Sequence, residues 1–391
     1  MNSKLNKKNI ILILLTIIFS IPKINTAAHW YENKTFILSS NNEFILDPQV
    51  EQLAKIAYTD LNDSIFFNTK NIVNSPFIQK EFEKIGGQEV IIETEDHVKL
   101  KCSYFDRNKN KILIIAPGLT NAKEKMAPFI SMFFDDYDLL ILNFRGHGDV
   151  IKNKINLNPL NCILQKILEI DLSQIRFGKE EEKDVLAAIS FAKNQKEYSS
   201  ISGLGVCYGA LILAKTQGLF DKTNSNKTKL FDNLILDGCW LSLASFKAKI
   251  ISNPVLIFNP QKGNASPFVR KMFQNHWFVN CIENMLYNLS KIRFDELNVT
   301  DYLSEITTSK ILMFYGKNDL TISRNEFEEI WASITQAPKL AVITSNEHVW
   351  NHLKQKELYK LICKLHLDYN SIETAEAYLN NLESLKSFLK I

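Results

Sequence analysis

Residues 199–218 read SSISGLGVCYGALILAKTQG, a short apolar run punctuated by glycines and followed at once by a helical pattern. Three readings compete for it: a nucleotide-binding glycine turn, a plain strand-to-helix connection with a buried thiol, and a strained turn that displays a nucleophile. The nucleotide reading fails on spacing. A dinucleotide fingerprint needs G-x-G-x-x-G after the first strand of its fold, with an acid about 20 residues on. Gly203, Gly205 and Gly209 are one residue too widely spaced, and no Gly-Lys-Ser/Thr follows. The nucleophile reading explains more. Where a strand turns sharply into a helix, the central residue takes a strained conformation and its neighbours two positions away must be small. Gly205 and Gly209 flank Cys207 at that distance. The side chain then stands at a helix N-terminus, where the dipole favours thiolate over thiol. The Tyr208 N–H points at a substrate oxyanion, and a second donor has to come from an earlier strand-end loop, for which Leu119 in Pro117-Gly118-Leu119-Thr120 is the candidate.

Working outward, the chain repeats one pattern. EVIIET (89–94) and HVKLKCSYF (97–105) flank a short acidic turn and read as a hairpin. KILIIAP (111–117), YDLLILNF (137–144), SISGLGV (200–206), FDNLILDG (231–238), KILMFYG (310–316) and KLAVIT (339–344) are apolar runs of the kind that form strands buried on both faces. Helical segments lie between them, among them KEEEKDVLAAISFAK (179–193), whose Glu180, Glu181 and Glu182 suit a helix start. The order predicts an α/β protein with a mostly parallel eight-stranded sheet and helices on both faces. Two stretches break the alternation. Residues 150–178 read as an insertion. Residues 240–305, rich in aromatic side chains such as Trp240, Phe246, Phe258 and Trp277, read as a lid, with ordinary helices covering the sheet edge as the alternative.

Bulk properties agree with one large globular domain plus extensions. The chain has 391 residues, 46% hydrophobic and 23% charged, with a formal net charge of +3. Nothing in that balance suits a nucleic-acid surface. Lys4, Lys7 and Lys8 precede the apolar run Ile10 to Ile21, which is followed by Pro22 and the small residues Thr26, Ala27 and Ala28. A 12-residue helix spans roughly 18 Å against a hydrocarbon core of roughly 30 Å. The segment therefore reads as an export signal cut near Ala28, with an uncleaved surface anchor as the alternative. The expected divisions are 1–28 signal, 29–84 arm and helical region, 85–366 main domain and 367–391 helical tail. The expected location is secreted or periplasmic, with no transmembrane segment in the mature chain. Six scattered cysteines show neither CxxC nor zinc spacing, so no metal and no cofactor is expected, and their pairing is not fixed by the sequence.

Taken in order, these motifs resemble the α/β-hydrolase superfamily over roughly residues 85–366. The resemblance rests on the hairpin, the APGLT loop, the NFRGHGD loop, the GVCYG elbow, the YGKND strand end and a late histidine. It implies a triad in the order nucleophile, acid, histidine. Cys207 takes the first place. Asp319, just past KILMFYGKN, takes the second, with Asp237 at the end of LILDG in reserve. His348, after KLAVITSNE, takes the third in preference to His352, and His147 in RGHG matches a structural loop feature. Most members carry serine at the elbow, and a cysteine there is similar to the GxCxG elbow of dienelactone hydrolases. The long 240–305 segment is unlike that compact family. The resemblance implies a hydrolase of esters, lactones or thioesters, and the aromatic-rich 240–305 segment suggests an apolar acyl or small lipid-like substrate. The alternatives are an acyltransferase using the same residues, or a hydrolase-fold binding protein whose Cys207 is only a small buried residue.

Overall fold

The side chains of KILMFYG alternate between two packed layers. Ile311, Met313 and Tyr315 enter one core, while Leu312 and Phe314 enter the other. KILIIA splits the same way, Ile112 and Ile114 against Leu113 and Ile115. A strand with apolar residues on both pleats can be stable only when both faces of its sheet are covered. The computed structural model describes residues 82–119, 123–148, 171, 173–224, 228–252, 297–349 and 351–368, two short segments at 36–38 and 44–46, and a few positions between 275 and 287. The expected signal at 1–28 and most of the expected 29–84 arm and helical region, 150–178 insertion, 240–305 lid and 367–391 tail lie outside these residues.

In chain order the strands are β1 (Phe36–Leu38), β2 (Phe44–Leu46), β3 (Gly87–Glu93), β4 (Lys99–Phe105), β5 (Lys111–Ala116), β6 (Asp138–Ile141), β7 (Ser200–Val206), β8 (Asn233–Asp237), β9 (Lys310–Gly316) and β10 (Lys339–Thr344). The helices are α1 (Ala127–Phe133), α2 (Glu182–Gln195), α3 (Tyr208–Thr223), α4 (Leu243–Ser252), α5 (Thr300–Leu303), α6 (Arg324–Ser333), α7 (Asn351–Lys354) and α8 (Lys356–Asp368). One sheet runs β2-β1-β10-β9-β8-β7-β5-β6-β4-β3. From β6 through β10 all neighbours are parallel, and the β3–β4 hairpin joins antiparallel through β4.

The eight expected strands are present. Two more extend the sheet to ten, because Phe36–Leu38 pairs antiparallel with Ala341–Ile343 and with Phe44–Leu46. The sequence at 29–47 has little periodicity. The repeated FIL triplets around the polar SSNNE stretch are nonetheless a short hairpin signal, and pairing there covers an otherwise open edge at β10.

Helices α2, α3 and α6 supply Val185, Leu211 and Ile330 to one core, while α1 and α8 supply Phe129 and Tyr359 to the other. Helix α2 starts where the glutamate run predicted, with Glu181 at its N-cap. Helix α3 is buried from Tyr208 to Gly218, so the elbow is anchored by a helix with no solvent face over three turns. The aromatic-rich segment leaves and re-enters the fold at one place. Ser242 bridges Asn298, and the Val299 N–H donates to Leu241 O at 2.8 Å. Cys102, Cys207, Cys239 and Cys363 are free thiols, Cys207 alone among them partly exposed; Cys162 and Cys281 lie outside the described residues.

Candidate active site

Cys207 sits between β7 and α3 with φ +56° and ψ −113°, a conformation that costs an L-residue about 1–3 kcal/mol. The two glycines permit it. A Cβ on Gly205 would lie 2.5 Å from the backbone N of Ala210, and one on Gly209 would lie 2.2 Å from the carbonyl oxygen of Ala116. The first turn of α3 therefore packs directly on the end of β5, beside the Pro117–Leu119 loop. The Cys207 N–H donates to Asp237 O at 2.7 Å, which ties the elbow to the end of β8. No other described residue accepts from the Tyr208 or Leu119 N–H. Tyr208 opens α3, where no intrahelical carbonyl can reach its N–H.

The acid and the histidine come from neighbouring loops. Asp319 follows β9 and accepts from the Thr321 and Ile322 N–H groups through Oδ1, at 2.7 and 2.9 Å. Its Oδ2 is 2.7 Å from Nδ1 of His348, which follows β10. The two loops are laced by main-chain bonds, Lys317 N–H to Thr344 O at 2.8 Å and Asn318 N–H to Asn346 O at 3.1 Å. His348 is buried, and its Nε2 has no hydrogen-bond partner. Burial works against the charged ring. The Asp319 carboxylate and the Cys207 sulfur outweigh it and hold the imidazole well above its ordinary pKa. Val349, next in the chain, is β-branched at φ +49°, so this loop also carries strain.

The structure separates the other histidines from this pair. His352 lies tilted against the Phe129 ring, centroids 4.5 Å apart, and burial pushes it down to about 3. His348 and His352 share no helical face, because His348 lies on the loop before α7. His147 is also buried, with a pKa near 4 for the same reason, and stacks on Tyr208 at 6.3 Å. Its loop is held by Arg145, whose guanidinium meets Asp184 at 2.7 Å, Asp96 at 2.8 Å and Glu180 at 3.2 Å. Behind the elbow, Trp240 lies 5.9 Å from the Tyr208 ring and stacks on Phe246 at 3.7 Å. Among the described residues no cluster of three or more His, Cys, Asp or Glu could hold a metal, and no helix is long and apolar enough to cross a membrane.

A mostly parallel sheet covered on both faces, with a strained strand-to-helix elbow and an acid and histidine on later strand ends, defines an α/β-hydrolase fold. Among solved structures the chain is similar to an esterase of Pyrococcus furiosus. One crystal form of it superposes with a TM-score of 0.54 at 19% identity, covering 73% of this chain and 92% of that one. Another gives 0.52 at 18% identity, covering 73% and 93%. At such identity the likeness speaks for the fold. No family model matches the sequence. By sequence the chain is 22% identical over 188 residues to the probable eukaryotic translation initiation factor 4 gamma homolog of Vairimorpha ceranae. That match takes in 43% of this chain and only 31% of the relative, so it carries no activity across.

Proposed function

We propose that this protein is an exported hydrolase of esters, lactones or thioesters that works through Cys207, His348 and Asp319. The carrying observation is the Asp319–His348 hydrogen bond of 2.7 Å, on a ring whose Nε2 is unpartnered and feels Cys207. The Cys207 thiol first gives its proton to Nε2, forming the thiolate–imidazolium pair that the raised His348 favours, and Sγ then attacks the acyl carbonyl. The Tyr208 and Leu119 N–H groups receive the oxyanion, each such donor being worth about 3–4 kcal/mol in the transition state. Collapse expels the alkoxide or thiolate, which leaves with the proton from Nε2, and an acyl thioester remains on Cys207. Water, deprotonated by His348, then attacks this thioester and regenerates the thiol. Asp319 holds the ring in the tautomer that keeps Nε2 free and stabilises the imidazolium.

Amides are poorer substrates, because the tetrahedral intermediate expels a thiolate more readily than an amine. The aromatic side chains of residues 240–305, Trp240, Phe246, Phe258 and Trp277 among them, support an apolar acyl group. Export rests on the basic, short apolar and small-residue order of residues 1–28.

The test is alkylation by iodoacetamide, followed by peptide mass spectrometry, beside a panel of p-nitrophenyl acyl esters. Cys207 should react ahead of the buried Cys102, Cys239 and Cys363, whose thiols burial pushes up. Ester turnover should vanish in Cys207→Ala. An inert Cys207 with no turnover in the native chain overturns the proposal in favour of a binding protein.

A further inference from the structure

Asp237 ends β8 with its carboxyl fully buried, and the reaction sketched above gives it no part. Its position is nonetheless central. Its main-chain oxygen receives the Cys207 N–H at 2.7 Å. Gly238, the next residue, runs past His348 so closely that a Cβ there would lie 3.0 Å from the ring Cε1. Oδ1 of Asp237 accepts from the Asn351 side chain at 3.3 Å. The Asn351 amide oxygen in turn receives the Thr344 hydroxyl at 2.6 Å and the Asn346 amide at 3.0 Å, which frame the loop carrying His348. Oδ2 of Asp237 makes no hydrogen bond of normal geometry, and the Tyr359 hydroxyl, likewise unpaired by geometry, is the group on α8 that favours its charged form.

A buried carboxyl with a bare oxygen is costly as an anion and far less so as a neutral acid. Burial is the largest influence on Asp237 and pushes it up to about 7. Asn351, His348 and Tyr359 pull against burial, and Asp319 adds to it. Helix α8 contributes Tyr359 and Cys363, both of which feel the Asp237 charge. The loops after β9 and β10 contribute Asp319 and His348, α7 contributes Asn351, and the elbow contributes the Cys207 main chain.

We propose that Asp237 is a proton-bearing positioning residue that sets the protonation of His348 from beneath the site, without meeting substrate. The inference rests on reading Cys207 and His348 as a reacting pair. While Asp237 keeps its proton, Asp319 is the main carboxylate acting on the imidazole. When Asp237 ionises, a second negative charge makes the ring hold its proton more firmly. The imidazolium persists to higher pH, and its return as a base for water attack is delayed.

The experiment follows the rate of Cys207 alkylation by iodoacetamide from about pH 5 to 9 in the full chain, with Asp237→Asn and Tyr359→Phe beside the native protein. The native profile should rise in two steps, the lower belonging to Asp237. Asp237→Asn should lose that step and move the upper limb to lower pH. Tyr359→Phe should keep both steps and move the lower one upward, since it removes a group that favours the anion. Two steps in a folded Asp237→Asn protein overturn the proposal. So does an unmoved lower step in Tyr359→Phe, which decides the matter if Asp237→Asn fails to fold. Alkylation needs no substrate. Absence of ester turnover therefore overturns the acyl-transfer reading alone and leaves the profile to judge Asp237.

Discussion

Gly238 passes His348 with no room for a side chain: a methyl group built there would sit 2.7 Å from Val349 Cγ1 and 3.0 Å from His348 Cε1, at a backbone φ of +64°. Two separate consequences follow from Gly238→Ala. The left-handed backbone costs about 1–2 kcal/mol of stability, and the imidazole is pushed off its line to Cys207. Displacements of about 1 Å can cost on the order of 100-fold in rate. Thermal unfolding should therefore show a modest loss, while ester turnover falls about 100-fold with a smaller change in KM. Equal activity in a folded Gly238→Ala protein refutes the placement of His348.

Asp319→Asn separates charge from shape. The side chain keeps its acceptor toward Thr321 and Ile322 but offers an amide to Nδ1 of His348, which forces the wrong tautomer. Turnover should drop by about 10⁴-fold, the order seen when the acid of such a triad is replaced by its amide. The pH dependence of stability has a definite sign. His348 binds its proton more tightly in the fold than in the unfolded chain. Its contribution is complete below the unfolded value of roughly 6.5 and is lost as pH rises through the raised folded value. Urea unfolding should show the largest gap between native and variant protein near or just below neutrality, narrowing in alkali. A gap that widens in alkali contradicts the pairing.

The framework was legible in the sequence because its signals are local. KILIIA and KILMFYG carry the two-faced strand pattern in themselves, and GVCYG carries the small residues its own turn requires. Asp319 and His348 were readable as strand-end residues because each lies just past a strand whose end is marked. What stayed hidden is set by segments far apart in the chain. Arg145 gathers Asp96, Glu180 and Asp184 into one ion-pair cluster. Asp237 was visible only as a reserve acid. Its connection to Thr344 and Asn346 through Asn351 exists only once β8, β10 and α7 are assembled.

Glycines in this fold are required for different reasons, and substitution should tell them apart. A Cβ on Gly209 meets the carbonyl oxygens of Ala116 and Pro117 at 2.2 and 2.6 Å, backbone atoms that cannot rotate away. Gly209→Ala should lose about 3 kcal/mol or more, as overpacking against a rigid neighbour does, and should lose turnover with it. Gly86→Ala is the contrasting case. Its φ is +87°, yet nothing lies within 4 Å of the new methyl. It should cost only the backbone term of about 1–2 kcal/mol and leave turnover intact. Urea denaturation of both variants checks the difference, and similar losses in the two disprove the close contact between α3 and β5.

Asp237 makes a stability prediction independent of its proposed effect on His348. Its carboxyl titrates near 3.8 when unfolded and about 7 in the fold. Between those values the folded chain holds the extra proton, so the group's contribution makes stability fall as pH rises, and above about 7 the full penalty is present. Asp237→Asn has no such titration and keeps an acceptor for Asn351. The native protein should lose stability relative to the variant between about pH 4 and 7, up to on the order of 4 kcal/mol, and the two should converge in acid. Urea midpoints measured at intervals across that range decide it. A constant difference at every pH means that Asp237 is already an anion in the fold, and the buried unpartnered oxygen then requires another explanation.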